Sequence, residues 1–322
     1  MSRPASTPAP ASGPTAAAHA DDPRALVAAG VSIVLWASAF VGIRAVAADL
    51  SPTSLALGRL TIGAIALGGL SLTRGWVRPS RKHLLRILIS GLTWFALYNV
   101  FLNTAERSVD AGVASMLVNT GPIFLAILAG LFLGEGFPPR LLLGCAIAFG
   151  GAVVIGVSTS NAGAAAGISP VGVVLCIAAA LVYALGQTAQ KPALRAIPAI
   201  EVTFLACATG AVLLLPFAPG LVADLGRASA SSLAWLVYLG LFPTAVAFTT
   251  WSFALGRTPA GRLGSTTYFV PPVVIAMSFV LLAEVPAPIA LVGGVLCIGG
   301  AIVARSRGAL NPFRRAVAPA EG

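Results

Sequence analysis

Ten apolar runs, each long enough to cross a bilayer, constrain this chain more than any other feature. They lie at about 25–47, 53–73, 83–103, 110–133, 139–157, 169–190, 200–219, 232–255, 260–282 and 287–304. A helix needs about 20 apolar residues to span the hydrocarbon. Little is left over: 57% of the 322 residues are hydrophobic, only 9% are charged, and mean hydropathy is +0.93. A soluble domain carries roughly 25% charged residues, and no soluble fold of this length hides so much apolar surface. The expectation is an all-α integral membrane protein with ten transmembrane helices. The short connections hold helix breakers, as in Ser51-Pro52, Arg78-Pro79, Pro138-Pro139 and Ala218-Pro219-Gly220.

The chain also repeats itself. Moving residues 91–155 forward by 149 positions lays them on 240–304 without a gap. Gly91 meets Gly240, Ala111-Gly112 meets Ala260-Gly261, Pro122 meets Pro271, Glu135 meets Glu284, and Gly150-Gly151-Ala152 meets Gly299-Gly300-Ala301. A shift of 147 places Trp36-Ala37 on Tyr183-Ala184 and Arg44 on Lys191, so both ends of each half take part. Duplication of this kind is how many secondary transporters are built, with the substrate between the copies. Five runs per half is an odd number, so the second copy enters the membrane from the opposite face and the halves are inverted. The division expected is a tail over 1–22, a first repeat over 23–157, a linker over 158–168, a second repeat over 169–305 and a basic tail over 306–322.

Charge sets the orientation. Arg74, Arg78, Arg81, Lys82, Arg140, Lys191, Arg195, Arg257, Arg262 and the C-terminal arginines occupy connections that share one side if ten helices alternate; the other side holds only Arg107 and Arg227. Positive loops stay inside, so both termini are expected in the cytoplasm and the protein in the cell (inner or plasma) membrane. The net charge of +10 is spread between apolar runs rather than gathered in one patch, which argues against nucleic acid. The Ala/Pro/Ser/Thr tail is too polar to order itself, and the first run, with Trp36 and Arg44, is too long for a cleavable signal. Cys145, Cys176, Cys207 and Cys297 lie within apolar runs without metal-ligand spacing. No disulfide, metal or cofactor is expected.

Charged groups at membrane depth are functional candidates. Arg59, two turns into the second run, either attracts an anionic group, latches an outer gate, or snorkels and bonds helix-end carbonyls. Glu135 and Glu284 each end a run before a proline turn, where a carboxylate can cap the next helix; the competing reading is a proton-coupling site, which would sit more naturally near the midplane, and the usual carboxylate or histidine relay is absent from the runs. Pro122 and Pro271 fall mid-run at equivalent positions and read as hinges of kinked, pore-lining helices, or as static kinks. A cavity wall is read from polar and aromatic residues inside the runs: Trp36, Tyr98, Asn99, Asn119, Tyr183, Gln187, Trp251 and Tyr268 join Arg59 as substrate-binding candidates. Trp94, Trp235 and Tyr238 fit interface belts better. Glycines such as Gly144, Gly150, Gly293 and Gly299 allow close helix approach, for packing or for a homodimer face.

The run Leu35-Trp36-Ala37-Ser38-Ala39-Phe40, then Arg44, Ser51-Pro52 and Leu57-Gly58-Arg59, resembles the opening of EamA-type transporters of the drug/metabolite transporter superfamily. Leu131-Phe132-Leu133-Gly134-Glu135 with Gly144 and Gly150-Gly151 fits the same pattern, as does Leu281-Leu282-Ala283-Glu284 with Gly293 and Gly299-Gly300. Arg44 departs from it, since many members carry lysine there. The resemblance implies two inverted five-helix halves and export of amino acids, metabolites or drugs. The alternatives are a channel or a non-transporting membrane interaction protein. An enzyme would need a nucleophile–base or metal set at depth, and no run holds a central His, Asp or Glu. An ATP-driven pump would need a phosphate loop that is absent.

Overall fold

Helices start here where a short polar residue meets proline. Asp22, Ser51 and Ser169 sit in extended backbone, accept a hydrogen bond from a first-turn N–H, and precede a proline at the helix start. The missing proline N–H would be unpaired there in any case, and its fixed φ suits the first turn. Ser80 and Ser229 cap in the same way without the proline.

The structure, a computed structural model, describes residues 22–73, 75–132, 169–258, 260–284 and 288–305 and a scatter of residues between 139 and 154. Glu135, most of the fifth run, the 158–168 linker and both tails lie outside the described residues. Helix α1 is Pro23–Val46 and α2 is Pro52–Leu72. Helix α3 joins Arg81–Ser90, a π-helical turn Gly91–Leu97 and Tyr98–Ala105. Helix α4 is Ala111–Val118 and Gly121–Phe132, broken at Asn119-Thr120. Helix α5 is Pro170–Gln190, and α6 joins Ala199–Leu214, the 3-10 turn Leu215–Phe217 and Ala218–Leu225. Helix α7 joins Ala230–Leu239, a π-helical turn Gly240–Val246 and Ala247–Arg257. Helix α8 joins Ala260–Gly264, the 3-10 turn Ser265–Phe269 and Val270–Leu282, and α9 is Pro288–Arg305. No strand occurs among the described residues. Helices α1 to α7 are long and apolar enough to cross a membrane, and α8 and α9 contain the shorter apolar stretches Thr266–Leu282 and Leu291–Gly300.

Two expectations about proline change. The seventh run does not stop at Pro219; the helix continues to Leu225, because Pro219 falls in the first turn after the 3-10 segment, where a missing N–H breaks no ladder. Pro122 and Pro271 do not kink unbroken helices. Each stands in the first turn of a second half-helix, just after a break.

The 149-residue shift carries these irregularities as well as the residues. Arg81–Ser90 lands on Ala230–Leu239, the π turn Gly91–Leu97 on Gly240–Val246, and the start of Gly121–Phe132 on that of Val270–Leu282. The two repeats also pack reciprocally. Helix α1 lies against α7 and α8, while α5 lies against α3 and α4; α2 rests on the π turn of α7, and α6 on the π turn of α3. Helices α2 and α6 pack against each other. Loop acids stitch the same seam. Asp49 accepts from the Ser229 backbone N–H at 3.0 Å and from the Ser229 and Ser232 hydroxyls at 2.8 and 2.7 Å, capping α7. Asp224 accepts from the Ser51 backbone N–H at 2.9 Å, capping α2.

The Ser229 N–H, with the Ser232 and Ser229 hydroxyls, holds the Asp49 carboxyl below the usual carboxylate range. A depressed folded-state value stabilises the fold above the ordinary carboxylate pKa, and that contribution is lost as pH falls through the depressed one. Asp49→Asn is expected to flatten the acid side of the thermal-stability profile of the purified protein. An unchanged acid limb would remove Asp49 from that role.

Candidate functional site

Aromatic side chains from both repeats converge where α1, α3, α5 and α7 meet. The Trp36 ring of α1 lies 4.8 Å from Trp251, 5.6 Å from Phe248 and 6.1 Å from Trp94. Trp94 reaches Tyr183 at 5.7 Å and Phe248 at 4.7 Å, and Tyr98 faces Tyr183 at 6.2 Å. Most of these are edge-on or tilted contacts, which suit the ring quadrupoles. The rings line a half-open cavity with about 370 Å³ of empty space, its mouth included, walled by Trp36, Phe40, Tyr98, Tyr183, Asn119, Pro122 and Thr267. A second, of about 340 Å³, shares Trp36, Phe40, Tyr98 and Tyr183 and adds Trp94, Phe248 and Arg59. Mostly apolar walls with a few placed polar groups are the usual make-up of a small-molecule site.

The polar groups come from the irregular backbone. Asn119 ends the first half of α4, and its Oδ1 accepts from Thr267 Oγ1 of the α8 3-10 turn at 3.1 Å, so the two helix breaks meet across the repeats. Arg59 is only 2% exposed. Its Nε donates to Thr244 Oγ1 at 3.0 Å, and Thr244 donates in turn to the Leu239 carbonyl at 2.7 Å across the π turn of α7. The side chain therefore neither snorkels nor bonds a helix-end carbonyl. Among the described residues no carboxylate pairs with it.

Of the residues singled out in the sequence, Trp36, Arg59, Tyr98, Asn119, Tyr183 and Pro122 line these cavities. Four others do not. Asn99 is buried with its Nδ2 turned back to the Phe95 carbonyl of the π turn at 2.6 Å. Gln187 and Trp251 are buried behind the wall, where Trp251 Nε1 donates to Gln187 Oε1 at 2.8 Å and holds the ring that Trp36 packs on. Tyr268 packs with Ile123 beside Ile127 and Ile298, and its neighbour Thr267 takes the cavity position. Pro271 is buried without lining either cavity.

Trp94 corrects an expectation. It is 1% exposed inside the ring cluster rather than in an interface belt. The cause lies opposite: Gly186 of α5 presents no side chain, and a Cβ there would lie 2.4 Å from that of Trp94. Tyr238 is also tied inward, its hydroxyl 2.7 Å from Ser38 Oγ.

A charged cluster beside the cavity links distant segments. Arg44 Nε donates to Glu284 Oε1 at 2.6 Å, its Nη1 donates to the Glu106 backbone carbonyl at 2.8 Å, and its Nη2 lies 3.9 Å from Asp110. Glu284 Oε2 also accepts the Ala111 backbone N–H at 3.3 Å. Glu284 thus caps α4 in the other repeat, where Arg44 draws the carboxylate across the seam. Sequence spacing could not show a pairing between residues 240 positions apart.

Residues 24–157 and 170–306 each match the EamA-like transporter family. The chain is 38% identical to a probable terminal-alkyne amino-acid exporter of Streptantibioticus cattleyicolor over 91% of its own length and 99% of the relative's. It is 33% identical to the uncharacterized transporter YdfC of Bacillus subtilis, covering 85% and 89% of the two chains. A probable amino-acid metabolite efflux pump of Salmonella typhimurium is 26% identical over 83% and 90%. A protein crystal structure shares the fold with a TM-score of 0.62 at 22% identity, covering 88% of this chain and 98% of that one.

Proposed function

The chain belongs to the EamA-like transporter family, and from that premise we propose that it exports amino acids or related small carboxylates by alternating access between two inverted halves. It is a multi-pass membrane transporter, not an enzyme. The observation that carries the substrate class is Arg59: a buried guanidinium with no carboxylate partner among the described residues, facing a ring-walled cavity between the repeats. A buried cation is costly unless something pairs with it, and a substrate carboxylate supplies the pair. The names of two relatives, an amino-acid exporter and an amino-acid metabolite efflux pump, support the same class.

The reciprocal packing of the repeats is what a pseudo-two-fold relation requires, since each surface then meets the partner of its own partner. With five spans per half, counting the fifth run, that axis lies in the membrane plane. The positive loops then leave both termini in the cytoplasm of a cell-membrane protein, and 23–157 and 169–305 are the moving halves. Pro122 and Pro271 mark the breaks about which α4 and α8 bend. Trp36, Tyr98, Tyr183, Asn119 and Thr267 contact the solute, while Asn99, Gln187, Trp251 and Tyr268 hold those contacts in place.

The test is release of amino acids into the medium by cells with and without the gene. Overexpression is expected to raise external accumulation of a subset of them. Tyr98→Ala and Asn119→Ala should abolish that release at unchanged surface abundance. Wild-type flux in both variants would overturn the cavity assignment.

A further inference from the structure

We propose that Glu106 is a proton-binding site whose occupancy controls the Arg44–Glu284 lock at the outer end of the transporter. Glu106 follows α3 directly, flanked by the exposed Arg107, and reads in sequence as a loop residue. The structure buries it completely, and among the described residues neither carboxyl oxygen has a hydrogen-bond partner. The cation beside it is directed away from the carboxyl group. Arg44 gives Nε to Glu284, Nη1 to the Glu106 backbone carbonyl, and Nη2 faces Asp110. One positive charge already serves two carboxylates, so an ionised Glu106 would leave the cluster with surplus negative charge away from water. A neutral acid is the form that burial without donors admits.

The groups around Glu106 are Arg44 from α1, Arg59 from α2, Tyr98 from α3, Asp110 at the start of α4, Cys176 from α5 and Glu284 after α8. Burial raises the Glu106 carboxyl well above the ordinary range, with Arg44 acting against that shift. Loss of the proton to water at the outer face leaves a carboxylate that competes for the Arg44 guanidinium. The Arg44–Glu284 bond then weakens, and with it the tie between α1 and the end of α8. Protonation restores the lock. The placement of this end outside rests on the transporter orientation above; the proton site itself does not.

Infrared spectra of the purified protein in lipid test the site without any substrate. At neutral pH the wild type should show a protonated carboxylic-acid carbonyl stretch that Glu106→Gln lacks and Asp110→Asn keeps. Glu106→Asp should shift that band, and it serves if the glutamine variant does not fold. No such band in the wild type overturns the site. For the lock, Ile43→Cys in a cysteine-free background is labelled from outside with an impermeant maleimide. Divided by the labelling of a permanently exposed cysteine, which carries the thiol's own pH dependence, the rate is expected to rise about tenfold per pH unit while the neutral acid dominates, and to stay low and flat in Glu106→Gln. An equal rise in both overturns the lock. A surviving infrared band with no amino-acid export would instead count against the transport reading alone.

Discussion

Arg59→Ala is expected to lose transport of carboxylate-bearing solutes while the protein folds as well as the wild type or better. Removing one member of a desolvated, hydrogen-bonded charge pair costs about 2–5 kcal/mol, roughly 30-fold to several thousand-fold in affinity. Arg59→Lys keeps the charge but lacks the planar fork, so it should retain part of the activity. An amino-acid amide, with no carboxylate to read, should be carried equally by wild type and alanine variant. Stability separates this role from a structural one. Among the described residues Arg59 makes one side-chain hydrogen bond, to Thr244, and Thr244 can keep its bond to Leu239 when Arg59 is gone. If the guanidinium awaits an anion, deleting it relieves a buried unpaired charge, and the melting temperature of the empty protein should hold or rise. If it braces α2 against α7, the melting temperature should fall and amides should be lost along with acids. Flux and melting temperature measured on the same preparation decide between the two.

How much of this could be read from the sequence follows from which interactions are local. Apolar runs, caps and the duplication are local or periodic, so eight of the runs could be traced nearly to their ends, and the seventh failed only where Pro219 sits harmlessly in a first turn. Cavity residues more than one turn from a run end, such as Trp36, Tyr98 and Asn119, could be picked out because depth is counted along one helix. Facing is different. Whether Trp94 looks at lipid or inward depends on a glycine 92 residues later, at 186. Whether Asn99 points at a solute depends on a π turn that no residue type announces. Glu106 is the clearest case. Position and neighbours give it a loop's appearance, and only the arrival of Arg44 and Glu284 from opposite repeats seals it in.

Gly91→Ala and Gly240→Ala, at equivalent repeat positions, should both damage the fold but differ in how they can be rescued. Each glycine opens a π turn on which the second helix of the other repeat rests. A Cβ at 91 would lie 2.6 Å from Thr209 Cβ and 2.8 Å from the Ala206 carbonyl oxygen. A Cβ at 240 would lie 2.6 Å from Ile62 Cβ but 3.1 Å from the Arg59 carbonyl oxygen. Overpacking typically costs about 1–3 kcal/mol when side chains can yield; a backbone oxygen yields only if its helix moves. Both variants should lose most of the monodisperse protein in size-exclusion profiles. Gly30→Ala, where a Cβ meets nothing within 4 Å, should not. Moving the gap to the partner helix then separates the pair. Ile62→Gly removes the clash that matters for Gly240→Ala and should restore folding, less about 1 kcal/mol for a helical glycine. Thr209→Gly leaves the Ala206 oxygen in place, so Gly91→Ala should remain unfolded. Rescue at both positions would mean that the π turns tolerate a shift of α6, and that the seam on which Arg59 depends is looser than these distances require.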